Sequence, residues 1–232
     1  LGGRYITAED VGTGTEDMAA IRERTSHVAG LPVALGGSGD PSPVTARGVE
    51  AAIRACCERR FGSRELSGRR VCVVGLGHVG TPLAERLLAA NAEVIATDID
   101  AGKRRLAARL GTAWTDPGSA VATACDVLAP CALGGVIDRD NLLSLRCAIV
   151  CGSANNVLAE ERLAERLASR GIVYGPDFIA NAGGLINVYA EIHGLDRART
   201  ARLVDGIGET IAVILREAEE RSTTPLGAAR EL

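Results

Sequence analysis

Lysine is almost absent from this chain. Of its 26 basic residues only Lys103 is a lysine, so chemistry that needs a lysine amine elsewhere has no side chain here to perform it. Aromatic residues make up 3% of the 232, yet 47% are hydrophobic, which supplies a sizeable core. No apolar run approaches the roughly 18 residues of a membrane span, and no basic-then-apolar start marks a signal peptide. Positive charge is not in excess: a net charge of −3 gives no footprint for nucleic acid or an anionic membrane. The seven cysteines are odd in number and include no C-x-x-C pair. That argues against a disulfide framework or a zinc site, and for a reducing, cytoplasmic setting. No metal site is expected, and there are no internal repeats or low-complexity segments.

What is present is an ordered unit over residues 69–98, R-R-V-C-V-V-G-L-G-H-V-G-T-P-L-A-E-R-L-L-A-A-N-A-E-V-I-A-T-D. Residues 71–74 form a nearly continuous β-branched run, as expected of a strand buried on both faces of a parallel sheet. Gly75, Gly77 and Gly80 then give G-x-G-x-x-G. The first glycine permits a tight turn, the second lets a pyrophosphate approach the backbone, and the third lets the following helix pack on the strand. That helix, over residues 79–90, would aim its N-terminal N–H groups and positive dipole end at the phosphates. Leu76, His78 and Val79 complete the loop, and the His78 side chain reads as a surface group. A second strand over 93–97 ends in Asp98, at the spacing of about 20 residues that the dinucleotide fingerprint asks for. Its carboxylate would accept from the adenine ribose hydroxyls and repel a 2′-phosphate, favouring NAD over NADP, with Ile99 beside it. Lys103, Arg104 and Arg105 follow closely; a solvated helix face is the better reading for them, a 2′-phosphate cradle the other.

Around this unit the pattern continues. Residues 4–8 are strand-like, 9–14 a polar turn, and 15–24 a helix with Thr15 as a plausible N-cap. Residues 35–41, rich in glycine and ending in Pro41, read as a hinge. Ser42 and Pro43 open a long helix to about residue 60. Beyond Asp98 the sequence predicts a helix over 101–110 closed by Gly111, a strand over 126–129, a brief helix over 138–143, a strand over 147–151, a helix over 158–169 and a strand over 172–174. A long amphipathic helix spans 197–221. This alternation predicts an α/β, doubly wound parallel Rossmann sheet. Its ligand would lie at the carboxyl ends of the strands, where residues 129–135, including Cys131, Ala132 and Leu133, and residues 152–156, including Asn155 and Asn156, supply small and hydrogen-bonding groups.

Six motifs stand in order: T-A-E-D-V-G-T (7–13), G-S-G-D-P-S-P-V-T-A (37–46), G-L-G-H-V-G (75–80), A-P-C-A-L-G-G (129–135), G-S-A-N-N (152–156) and P-D-F-I-A-N-A-G-G-L-I-N-V (176–188). Together they resemble the glutamate/leucine/phenylalanine/valine dehydrogenase family, nearest its leucine and phenylalanine branch. Another Rossmann dehydrogenase, such as a methylenetetrahydrofolate type, would leave the first and last motifs unexplained.

The resemblance implies NAD-dependent oxidative deamination of a branched-chain or aromatic L-amino acid to its 2-oxo acid and ammonia. It assigns Asp10 as the catalytic acid/base at the substrate nitrogen, Ser42 and Thr45 to the nicotinamide carboxamide, and Asn156 to the cofactor or substrate amine. Ala8, Leu185 and Val188 match positions that line the substrate side-chain pocket, with ordinary core packing as the alternative. Asp40 and Gly37 depart from the Asn and Ser more common in leucine dehydrogenases. The resemblance further divides the chain into a remnant of the catalytic or substrate domain (1–33), a Rossmann domain with its hinge (34–195) and a C-terminal helical segment (196–232), of a protein that is a homo-oligomer when full length.

The family uses two lysines, one to hold the substrate carboxylate and one of lowered pKa to activate water, in a G-G-G-K region ahead of these motifs. No such motif occurs in these 232 residues, and Lys103 belongs to the adenosine end. The expectation is therefore that this chain alone binds NAD with little or no turnover. A different class of function, a non-catalytic NAD-binding module or one subunit of a split enzyme, stands as the alternative.

Overall fold

Short β-branched runs build the centre of the molecule. In the computed structural model, which describes residues 2–10 and 12–232, six strands lie parallel: β1 (Arg70–Val74), β2 (Glu93–Thr97), β3 (Ala113–Trp114), β4 (Val127–Pro130), β5 (Ile149–Val150) and β6 (Val173–Tyr174). Their order is β3-β2-β1-β4-β5-β6, the doubly wound arrangement whose switch point falls between β1 and β4. Leu1 and Val11, the latter within the polar turn expected over 9–14, lie outside the described residues.

Alternation along each strand divides the apolar side chains between two cores. Val71, Val73, Val94, Ala96, Val127 and Ala129 face one core; Cys72, Ile95, Leu128 and Val150 face the other. The first core is covered by α2 (Ser42–Phe61), α3 (Gly80–Ala89) and α8 (Arg197–Glu220), the second by α5 (Leu163–Ser169). Helices α2 and α8 approach through glycine. A Cβ on Gly48 would sit 2.6 Å from the Ile207 Cδ1, and one on Gly208 would sit 2.9 Å from the Ala51 carbonyl oxygen. Val204, Ile207, Ile211 and Leu215 of α8 therefore join the same core as the sheet. Glu50 is buried on α2 yet satisfied, its two oxygens paired with Arg54 and Arg86 at 2.8 and 2.6 Å.

Several sequence expectations shift. Residues 4–8 form no strand; Thr7 makes a single bridge with Val28, which joins the start of the chain to residues 27–29 above a small core of Met18, Val28 and Leu31. The N-cap of α1 (Thr15–Arg22) is Gly14 and not Thr15, because Asp17 reaches back to the Gly14 N–H at 2.9 Å. Residues 138–143 give only a 3-10 turn over Leu142–Ser144, since the Asp138 carboxylate captures the N–H groups of Asp140 and Asn141 and competes with helix. The helix expected from residue 158 begins only at Leu163, because Leu158 is taken into a bridge with Ile137. Elements that went unforeseen include edge strand β3, helix α9 (Pro225–Arg230), and α6 (Asp177–Ala180), which precedes α7 (Gly183–Ile192). Helix α4 (Lys103–Leu110) ends at Gly111 in the left-handed conformation, as expected.

Candidate cofactor site at the strand ends

The glycine loop continues the sheet before it leaves it. Gly75 donates its N–H to the Thr97 carbonyl at 2.8 Å with φ +104, a conformation that glycine adopts freely. Leu76 is fully buried and anchors the turn. Gly80 has no room for a side chain, since a Cβ there would lie 1.8 Å from the Gly75 carbonyl oxygen. Gly77 is the opposite case: a Cβ would meet nothing within 4 Å. Strand and helix are thus locked together around a loop with open space at its tip, in front of the N-terminus of α3. That space is what a pyrophosphate needs.

Asp98 follows β2 directly, beside the glycine loop. Its Oδ2 accepts the Leu76 N–H at 2.7 Å and its Oδ1 the Asp100 N–H at 2.9 Å, which fixes the carboxylate while leaving each oxygen a lone pair for a ribose hydroxyl. Ile99 beside it is 91% exposed, an apolar surface at the edge where an adenine would rest. The basic residues 103–105 lie on α4 one turn further on.

The other half of the edge comes from β4 and β5. Ala132 stands against Gly75, whose Cβ would be 2.9 Å from that of Ala132. The Cys131 thiol is pushed up by burial, with Ser153 hydrogen bonds opposing the rise; Leu133 is exposed. Gly152 allows β5 to close on β4, since a Cβ there would lie 2.1 Å from the Pro130 carbonyl oxygen. Asn155 and Asn156 are exposed beyond it, Asn156 with φ 51. Ser42 and Thr45 are buried in the first turn of α2. The Thr45 hydroxyl donates to the Pro41 carbonyl at 3.0 Å, which leaves it free to accept. Gly183 and Gly184 start α7 directly on this turn, where Cβ atoms would meet the Val44 carbonyl at 2.6 Å and the Thr45 hydroxyl at 2.9 Å. On α7, Leu185 is 72% exposed, so core packing does not explain it; Val188 is partly covered.

Burial raises the Glu9 carboxyl above its ordinary value, Asp40 of the hinge adds to the rise, and His78 of the glycine loop opposes it. Glu9, between Ala8 and Asp10 in the chain, is thus within electrostatic reach of the hinge and of the glycine loop. Thr13 closes the Asp10 turn, its hydroxyl and N–H both within 2.9 Å of the Asp10 backbone. Residues that sequence reasoning missed hold the hinge: Glu191 of α7 accepts the N–H groups of Gly30 and Ser38, each at 2.9 Å, and the Ser38 hydroxyl. Nothing in local sequence marks a contact across 161 residues. A cavity of about 540 Å³ lies against the same hinge, lined by Ser38, Arg47, Asn187, Glu191 and Thr200 among others. Among the described residues no His, Cys, Asp and Glu group could hold a metal ion, and no helix is long and apolar enough to cross a membrane.

A switch point between β1 and β4, a glycine loop with one crowded and one open glycine, and a braced acid at the end of β2 define a Rossmann-type dinucleotide-binding domain. The open tip at Gly77 and the free lone pairs of Asp98 fit a nicotinamide dinucleotide. The family model for glutamate/leucine/phenylalanine/valine dehydrogenases matches residues 105–223, and that for the NAD-binding domain of D-isomer specific 2-hydroxyacid dehydrogenases matches 46–134. Leucine dehydrogenase of Thermoactinomyces intermedius is 44% identical over 94% of this chain and 60% of its own length. Phenylalanine dehydrogenase of Caldalkalibacillus thermarum is 37% identical, covering 100% and 64%. The crystal structure of L-tryptophan dehydrogenase from Nostoc punctiforme superposes with a TM-score of 0.85 at 34% identity, over 100% of this chain and 66% of that one. The chain belongs to the glutamate/leucine/phenylalanine/valine dehydrogenase family, in the branch of leucine, phenylalanine and tryptophan dehydrogenases. It spans about 60% of the length of the leucine dehydrogenases it matches.

Proposed function

We propose that these residues form the NAD-binding and hinge part of an L-amino acid dehydrogenase that converts a branched-chain or aromatic amino acid to its 2-oxo acid and ammonia. The single observation that carries this reading is the Asp98 carboxylate, held by the Leu76 N–H at 2.7 Å at the end of the strand beside the open Gly77. A carboxylate there accepts ribose hydroxyls and repels a 2′-phosphate, which selects NAD over NADP. NAD, when bound, supplies the hydride acceptor. The chain's own residues orient it: the glycine loop holds the phosphates, Thr45 accepts from the carboxamide, and Asn155 and Asn156 donate from the far side. Asp10, carried in next to the loop, moves the proton at the substrate nitrogen, and Ala8, Leu185 and Val188 line the side-chain pocket. The lysines this chemistry needs are not among the 232 residues, where Lys103 stands alone. Cytoplasmic location and homo-oligomeric assembly of the full-length protein belong to the same reading.

The test is complementation. The purified chain should bind NADH yet show no NAD reduction with L-leucine, L-valine or L-phenylalanine. Fused behind the part of the Thermoactinomyces leucine dehydrogenase that precedes the matched region, it should oxidise at least one of them, and Asp10→Asn should abolish that activity. Turnover by the chain alone, or an active Asp10→Asn fusion, would overturn the reading.

A further inference from the structure

The asparagine loop beyond β5 is held from behind by two residues that have no role in the reading above. Asp177 opens α6 and is buried at 8% exposure. Its Oδ1 accepts the N–H of Phe178 at 2.8 Å and its Oδ2 the N–H of Val157 at 3.0 Å. Val157 directly follows Asn156, whose own carbonyl accepts the Gly135 N–H at 2.7 Å. The peptide that follows the left-handed Asn156 is therefore held at both its carbonyl and its N–H.

Asn181, between α6 and α7, sets the direction of a side chain. Its Nδ2 lies 3.1 Å from the Ser153 carbonyl and 2.5 Å from Asn155 Oδ1. A carbonyl only accepts, so the end of Asn181 that meets Ser153 is its NH2 group. The same NH2 faces Asn155, which must present its oxygen. The Asn155 NH2 is then left on the opposite side of its amide, exposed and without a hydrogen bond among the described residues.

Topology says what that NH2 meets. Asp98 lies at the end of β2 and the glycine loop at the end of β1, whereas Asn155 lies past β5, across the switch point. A dinucleotide with its adenosine at Asp98 and phosphates at Gly77 extends its other half toward β4 and β5. We propose that Asn181 and Asp177 are positioning residues that hold the Asn155 amide with its NH2 aimed at the nicotinamide half of the cofactor. This rests on the NAD-binding reading.

Aspartate at position 181 cannot donate, so in Asn181→Asp the Asn155 amide turns to give its NH2 to the new carboxylate and offers an oxygen to the cofactor. Loss of one hydrogen bond, with an unmatched acceptor in its place, corresponds to about a fivefold or greater loss of affinity. Titration of the 232-residue chain by calorimetry should show that loss for NADH, with the affinity for ADP-ribose, which lacks the nicotinamide, unchanged within about twofold. Asp177→Asn, which keeps one acceptor for two N–H groups, should give the same split; if it does not fold, Asn181→Asp decides alone. Equal weakening of both ligands by Asn181→Asp, or no weakening of either, overturns the proposal while leaving the cofactor reading intact. Failure of the unsubstituted chain to bind NADH and ADP-ribose overturns both.

Discussion

Oδ2 of Asp98 accepts the backbone N–H of Leu76 at 2.7 Å, so the acid that ends β2 also braces the glycine loop that ends β1. On the proposed reading, recognition of the adenosine and the shape of the phosphate loop are one unit. Asp98→Asn has a single oxygen for the N–H groups of Leu76 and Asp100. The expected cost is about 1–3 kcal/mol of stability, read as a lowered urea midpoint with unchanged slope. A midpoint equal to that of the parent would show that the loop stands without the brace.

Gly77 and Gly80 should respond in opposite ways to the same added methyl. At Gly80 a Cβ would lie 1.8 Å from the Gly75 carbonyl oxygen, so Gly80→Ala forces strand and helix apart at about 3 kcal/mol. At Gly77 the methyl enters open space. Gly77→Ala should keep its melting temperature and lose NADH affinity by about tenfold or more, since the methyl occupies the approach of the phosphates. Equal affinity of Gly77→Ala and parent would place the phosphates elsewhere.

Two buried polar atoms have no partner among the described residues, Oγ1 of Thr97 and Nδ2 of Asn187. Removing an unsatisfied group while keeping its volume relieves a desolvation penalty. Thr97→Val and Asn187→Leu should each raise stability by about 1 kcal/mol. Thr97→Ser, which keeps the hydroxyl and loses the methyl, should lower it. Thermal unfolding of the three variants checks the signs.

The Glu9 carboxyl is raised above the ordinary value of 4.5 for such a group by burial first, then by Asp40, against the lowering effect of His78. The folded state therefore holds its proton more tightly than the unfolded chain. The stability this contributes is fully present below 4.5 and is lost as pH rises through the raised value. Glu9→Gln removes the titration. Between pH 4 and pH 7 the parent should lose melting temperature relative to Glu9→Gln, and a constant difference would contradict the assignment.

The βαβ unit was legible because its signals are local. The β-branched run at 71–74, the three glycines and Asp98 each act within a few residues of one another, and β2 falls at Glu93–Thr97 as read from sequence. The parallel, doubly wound sheet followed from the alternation of elements, while edge strand β3 did not. Contacts across the chain were not legible. Asp177 holding Val157, and Glu191 holding Gly30 and Ser38, are carboxylates whose partners are backbone N–H groups, and a backbone N–H carries no residue signature. The late start of α5 escaped for the same reason, since it depends on a bridge between Ile137 and Leu158. Family motifs supplied what local physics could not: Asp10 by itself is a carboxylate in a turn.

The most direct measurement is the affinity of the purified 232-residue chain for NADH and NADPH, by fluorescence titration at fixed ionic strength. Saturable one-to-one binding of NADH, with NADPH weaker by about tenfold or more, is the expected result. No binding of NADH, or tighter binding of NADPH through the basic residues 103–105, would contradict the assignment of Asp98 and of the glycine loop it braces.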